Sequence, residues 1–297
     1  MQFKLEIIAP PEELAGRINT FYVIETEAPR IEEFIPAYSA QLAVIPCGRL
    51  AITDGEGVLR PAPTAFAIAP LLTAAPCVLE GPTTIVGASL THLGWQALAN
   101  LPADAVHDRI IPAADFLAPA LVDRLEDAVA ACAAGAMVPR DLCGPLGAVV
   151  AAAPHALRPD HVAVIEAILR WLASGFDPAI GDLYASVSLS PRQLQRICRR
   201  YFGVPPAQVL KRFRALRAAM LLAQPGLSAA FHDEMMATYF DQAHLIHDIR
   251  RYTGRTPTQF RQESLARELL DPAAHGEAGA LLNRAGEKTR NRRRIDG

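Results

Sequence analysis

Between residues 190 and 217 the chain carries eight Arg or Lys residues and no Asp or Glu. Arg192, Gln193, Gln195, Arg196, Arg199 and Arg200 crowd one short stretch, and Lys211-Arg212-Phe213-Arg214 follows. These residue types suit one chemistry. An arginine fork matches the acceptor pair of guanine, and a side-chain amide matches the donor–acceptor pair of adenine. Arg and Lys also neutralise phosphates, which supplies affinity without sequence information. Further on, "DQAHLIHDIRR" (241–251) offers a second such set in Gln242, Ala243, His247, Arg250 and Arg251. His244 and His247 stand i, i+3, a spacing that can hold a metal on a helix. No Cys or Glu pair beside them completes a metal site, so a polymer-reading role is the better expectation.

The usual catalytic signatures are missing. There is no Gly-rich phosphate loop, G-x-S-x-G elbow or Cys/His nucleophile pattern. Acid pairs such as Glu12-Glu13, Glu32-Glu33 and Glu126-Asp127 are adjacent and read as solvated surface. His92 is the one histidine in 18–95, too few for a metal-dependent enzyme on a small β-domain. We expect no catalytic residues, no metal and no cofactor. Cys47, in "IPCG", is expected to be a small buried hydrophobe and not a sensor thiol. Trp95 and Trp171 are expected in the core or at a domain contact.

The elements that must position the basic residues are legible from periodicity. In "IGDLYASVSLSPRQLQRICRRYFG" (180–203) Leu183 and Val187 point inward from a first helix, and Ser188-Leu189-Ser190 makes a turn. Ser190 caps a second helix with Pro191 at its first position. There Leu194, Ile197, Cys198 and Tyr201 face the core, which leaves Arg192, Gln193, Gln195, Arg196, Arg199 and Arg200 outside. This is helix-turn-helix grammar. A longer helix follows over 205–226, with Val209, Phe213, Leu216 and Met220 on one stripe. The theme then repeats over 227–257: Asp241 is placed to cap, and Leu245, Ile249 and Tyr252 point inward. The endings echo each other, Arg199-Arg200-Tyr201-Phe202-Gly203 against Arg250-Arg251-Tyr252-Thr253-Gly254.

Upstream, residues 18–95 read as short strands at 21–25, 41–47, 49–53, 64–70, 76–81 and 84–90, punctuated by Gly and Pro as in a small barrel or sandwich. Helical periodicity begins near 94 and includes a stripe of Leu117, Leu121, Leu125 and Val129. The stretch 136–160 is rich in Pro, Gly and Ala and is expected to hold the domain connection. Beyond 161 all is helix, until periodicity fades past 265. The fold class is therefore α+β in two domains: a β-rich sensing or dimerisation domain with trailing helices over 1–157, and an all-α reader over 158–265. Residues 266–297 are expected to be a disordered basic tail.

Charge follows the same division. Residues 1–179 hold 10 Lys/Arg against 20 Asp/Glu, whereas 180–262 hold 12 against 5. The formal net charge of −2 hides this polarity, which is the footprint of a polyanion reader joined to a domain with another task. Five scattered cysteines without a C-x-x-C pair suit free thiols in a reducing compartment. The N-terminus lacks the apolar core of an export signal, and the Ala-rich stretch 128–157 is too interrupted to span a membrane. A cytoplasmic protein is expected.

"LSPRQLQRICRRYFGVPP", the connecting helix and "YFDQAHLIHDIRRYTGRTPTQFR" resemble the C-terminal DNA-binding domain of the AraC/XylS transcription regulators over roughly 165–262. "VGASLTHLGWQALANLPADAVHDRIIPA" (86–113) is similar, more weakly, to their cupin-like sensor domains. The resemblance implies a one-component regulator in which each half-domain places a helix in successive major-groove segments. By position it implies Arg192, Gln195 and Arg196 at base edges from the first reading helix, and Gln242, Ala243 and His247 from the second. Arg250 and Arg251 then lie nearer the backbone. The implied partners are double-stranded DNA and a small-molecule effector, with a second copy of the chain and, for an activator, RNA polymerase. Tyr184 and Glu234 stand where the family usually has a small residue, Thr238 where a glycine usually opens the turn, and His247 where close relatives often have arginine. These departures imply that the first motif dominates binding. They also keep open a divergent member acting through protein contacts; a cupin-type enzyme is the remoter alternative.

Overall fold

The computed structural model describes residues 3–223, 233, 235–260, 262 and 265–269. The N-terminal domain is built on one antiparallel sheet: β1 Lys4–Ile8, β2 Ile18–Thr26, β3 Arg30–Ile35, β4 Gln41–Thr53, β5 Leu59–Pro61, β6 Ala65–Ile68, β7 Ala75–Leu90 and β8 Ile110–Pro112. The strand order is β1-β2-β7-β4-β6-β8, with β3 paired to β7 and β5 to β4. Two long strands carry the sheet. The sequence splits each of them in two, at Cys47-Gly48-Arg49 and at Gly81-Pro82, but β4 and β7 run through these points and stay paired across them (Val44↔Val86, Cys47↔Thr84, Arg49↔Glu80). The glycines bend the strands instead of ending them: Gly48 and Gly81 sit at φ 78° and 77°, and the ladder shifts register beside Cys47. That irregularity turns Cys47 outward. The thiol expected in the core is exposed and donates to the Pro82 carbonyl at 3.3 Å.

Alternation along the strands sends side chains to two cores. Phe21, Val23, Leu42, Val44, Val86 and Ala88 face one side, where α1 His92–Ala99, α3 Pro119–Ala133 and α4 Cys143–Ala151 cover them. Tyr22, Ile24, Ala43, Ile45 and Ile85 face the other and join Leu50, Ile52, Cys77 and Leu79 from beyond the bends. The two halves of the sheet thus close over one apolar interior. Trp95 is part of the first core, and its indole N–H donates to the Leu101 carbonyl. A short α2, Ala103–Val106, follows α1.

The C-terminal domain is all helix: α5 Pro159–Ala173, α6 Ile180–Ala185, α7 Pro191–Phe202, α8 Pro206–Ala223, α9 Gln242–Thr253, α10 Pro257–Phe260 and α11 Leu265–Leu269. Residues 233 and 235–237 are helical as well. One cluster packs α5, α6 and α7 together through Ile165, Trp171, Leu183, Leu194 and Phe202. A second packs α8 against α9 through Leu216, Met220, Leu245, Ile249 and Tyr252. The expected tail does not begin at 266: helical structure continues to Leu269, and Leu265 is buried in the sheet interior. Residues 270–297 lie outside the described residues, as does Glu234.

The two domains meet along a seam. The Ala37 amide donates to the Tyr252 carbonyl at 2.9 Å and the Ala74 amide to the Arg251 carbonyl at 3.0 Å. On the first motif, Arg200 donates to the Asn100 side chain at 2.7 Å, and His92 stacks on Phe202 with centroids 4.0 Å apart. Burial holds His92 neutral, with its pKa pushed down to about 3. An unfolded histidine titrates near 6.5, so below that pH the unfolded chain takes up a proton that the folded one refuses. Stability must therefore fall as pH drops from about 6.5 towards 3. The residue keeps some access through a neighbouring cavity, so we expect a loss of about 1 kcal/mol between pH 7 and pH 5. His92→Gln should lose correspondingly less, read as the shift of the urea midpoint.

Candidate nucleic-acid interface

The two reading helices are built alike. Each has 12 residues and ends on a left-handed glycine, Gly203 at φ 82° and Gly254 at φ 77°. The left-handed backbone calls for glycine at both, and Gly254 is needed twice over, since a Cβ there would strike the Phe34 ring. Each helix begins on a side-chain cap: the Ser190 hydroxyl accepts from the Gln193 amide, and an Asp241 oxygen accepts from the His244 amide at 2.7 Å. Inward and outward faces agree with the periodicity. Leu194, Ile197, Cys198 and Tyr201 are buried on α7, and Leu245, Ile249 and Tyr252 on α9.

The outward residues divide by what else holds them. Arg192, Arg196 and Arg199 on α7 are exposed, as are Gln242, Ala243, His247, Arg250 and Arg251 on α9. Gln193 is exposed but engaged: its side-chain oxygen accepts from the Ser190 amide at 3.0 Å and completes a capping box. The S-x-x-Q spacing carried that signal. Gln195 is half-buried and donates to the Tyr184 hydroxyl at 3.2 Å. Tyr184 therefore does not wedge the motif apart; it lies at the surface junction and orients an amide.

One expected phosphate contact is corrected. Arg212 is buried, 3% exposed, and donates to the Leu71 carbonyl across the domain seam at 3.2 Å. Lys211 reaches Asp248 on α9 at 3.1 Å. Basic residues on a long helix were read as surface, but α8 is packed on nearly every side. Thr238 is a further correction. Among the described residues it is not at positive φ, and its hydroxyl donates to the Met235 carbonyl at 2.8 Å, so this turn forms without a glycine.

Asp248 was not singled out from sequence, and it is the most consequential residue of the second motif. Fully buried, its carboxylate pairs through one oxygen with Lys211 at 3.1 Å and His247 at 3.4 Å. His244 Nε2 lies 3.3 Å from the other oxygen without hydrogen-bond geometry. Its position one turn after His244 was the available signal. The His pair with metal spacing is thus organised by an acid and a lysine. No group of three or more His, Cys, Asp or Glu that could hold a metal occurs among the described residues.

Under the seam lies a cavity of about 350 Å³, lined by Ser39, His92, Arg212 and Arg217 and by apolar side chains of α5 and α8. Arg217 is 1% exposed and donates to the Gly175 and Leu172 carbonyls. Burial pulls its pKa down to about 10 and that of Arg212 downward too. Neither guanidinium has a carboxylate partner among the described residues.

Residues 183–263, spanning both capped helix pairs, match the family model described as a helix-turn-helix domain. This is an AraC-type DNA-binding domain. Solved structures that align with the chain include ToxT from Vibrio cholerae, at 8% identity over 88% of this chain and 98% of that one, TM-score 0.45. Another is the AraC-like transcriptional activator CuxR, at 13% identity over 80% and 87%, TM-score 0.30. No curated protein sequence matches. No helix among the described residues is long and apolar enough to cross a membrane.

Within the AraC-type domain, Asp248 is the bond between the spacer helix and the second reading helix. Asp248→Ala leaves Lys211 without its anion and should lower stability by about 1–3 kcal/mol. Asp248→Asn, which keeps the shape, should cost less; thermal or urea unfolding of both variants checks this.

Proposed function

We propose that the protein is a DNA-binding transcription regulator whose two reading helices grip successive major-groove segments, under control of a small molecule bound between the domains. The observation that carries the first part is the pair of like-capped helices with Arg192, Arg196 and Arg199 exposed on one and Gln242, Ala243 and His247 on the other. Helices presenting residues at their N-terminal turns to base edges are the working geometry of such motifs. Arg196 is placed to read guanine, while Arg199, Arg250 and Arg251 suit phosphates.

The first motif carries more of the binding in this reading. Its outer face has three exposed arginines, whereas His247 on the second lies beside the Asp248 carboxylate. The regulatory part rests on the cavity at the seam. Two buried guanidiniums without carboxylate partners among the described residues are costly. An effector bearing an anionic group, with an apolar body against α5 and α8, would relieve that cost.

Binding to selected DNA fragments across a salt series tests the reading. A steep salt slope with a large specific-to-nonspecific ratio is expected. Arg196→Ala should lower specific affinity by about 5- to 100-fold, the worth of one good base contact. Gln242→Ala should cost less. Equal loss of specific and nonspecific binding in Arg196→Ala would remove Arg196 from the base-reading set. Full affinity in Arg196→Ala with none in Gln242→Ala would reverse the ranking of the two motifs.

A further inference from the structure

The last described helix, α11, does not continue the DNA-binding domain; it crosses to the β-domain. Leu265 is 4% exposed and, with Leu269, packs onto the sheet interior. Beneath them is a cavity of about 60 Å³, lined also by Tyr22, Phe66, Leu79 and Ile85. A carboxylate of the β-domain reaches the first residue of the helix. Glu33 on β3, itself 8% exposed, accepts from the Leu265 amide through one oxygen at 3.4 Å. Its other oxygen accepts from Arg255 at 2.5 Å, one residue beyond the glycine that ends α9.

We propose that α11 is a removable plug in the mouth of the β-domain, and that Glu33 couples its seating to the position of the second reading helix. The energetic logic has three steps. Leu265 and Leu269 keep water from an apolar interior that the bent sheet does not close by itself. Glu33 is nearly buried: one oxygen is shared by Arg255 and the Phe34 amide at 3.3 Å, while the other accepts from the Leu265 amide, so lifting α11 leaves that second oxygen poorly satisfied. Lifting α11 also opens the Glu33–Arg255 pair to water, which screens it and loosens the end of α9 from the sheet. An apolar compound entering the interior must displace the two leucines, and would in doing so free the second motif. The two cavities adjoin at Tyr38, but the seating of α11 concerns the sheet interior and not the buried arginines.

The full chain tests it. N-phenyl-1-naphthylamine, an apolar fluorophore, should bind the wild type weakly. Leu265→Ser/Leu269→Ser should bind it saturably, at least tenfold more tightly. Adding Ala43→Leu, which fills the interior, should abolish the gain. Amide hydrogen exchange should rise at least fivefold across 242–253 in the double variant, and in Glu33→Gln across both 242–253 and 265–269. A simple brace would lower the melting temperature with no change in fluorophore affinity, and that result overturns the plug. Unchanged exchange over 242–253 when the leucines are removed overturns the coupling. If the double variant does not fold, Leu265→Ala is read by the same titration, and wild-type affinity there overturns the proposal.

Discussion

The arrangement of the DNA-binding domain depends on α8 being held on nearly all sides. Its 18 residues span about 27 Å at 1.5 Å per residue, and it joins the first helix pair to the second. A spacer exposed on one face could roll. This one is gripped by α5 and α7 through Val209 and Leu210, by α9 through Leu216 and Met220, and by the β-domain through Arg212. The two reading helices thus inherit a fixed separation from a single rod. The cost of this grip is visible in Arg212 and Arg217, whose charges are buried against backbone carbonyls. Carbonyls satisfy guanidinium N–H groups without neutralising them, which leaves a positive site where the β-domain meets the rod.

The division of labour along the chain was legible because it was written in periodicity and charge. Two capped helix pairs, their inward faces and their repeated endings follow from Leu194, Ile197 and Tyr201, from Leu245, Ile249 and Tyr252, and from Ser190 and Asp241. Less was legible where backbone geometry overrode punctuation. Gly48 and Gly81 look like strand ends, yet a positive φ inside a paired strand produces a bend that keeps its ladder. β1, β3, β5 and β8 were missed for a related reason: they are edge or crossing strands, recognised by their partners more than by their composition. In β3, Glu32 and Glu33 read as solvated surface, although the strand alternates and sends Glu33 into the domain seam.

The site was half legible. Exposure on a helix face is a local property, and Arg192, Arg196, Gln242 and His247 emerged where the pattern put them. What a side chain meets across the fold is not local. Arg200 reaches Asn100, Lys211 reaches Asp248 and Arg212 reaches Leu71, and each contact joins residues far apart in sequence. All three are basic residues drawn from the expected DNA-facing set into structure. The density of Arg and Lys between 190 and 217 thus serves two ends, a reading face and a set of tethers, with Arg200 and Arg212 reaching the β-domain and Lys211 reaching α9.

Those tethers bear on how a signal in the β-domain could reach DNA. The seam touches both motifs at the same relative place, the C-terminal end of each reading helix: Arg200 and Phe202 on α7, Arg251 and Tyr252 on α9 with Arg255 just after it. The N-terminal turns, which carry Arg192 and Gln242, stay exposed. A change in the β-domain therefore need not cover or uncover the reading residues. It can act by moving the ends of the two helices, altering the angle at which the opposite ends meet successive grooves. Because α8 fixes their separation, small shifts at the two attachment points become changes of phase between the motifs. Phase is what a pair of groove-reading helices must match to the pitch of the duplex.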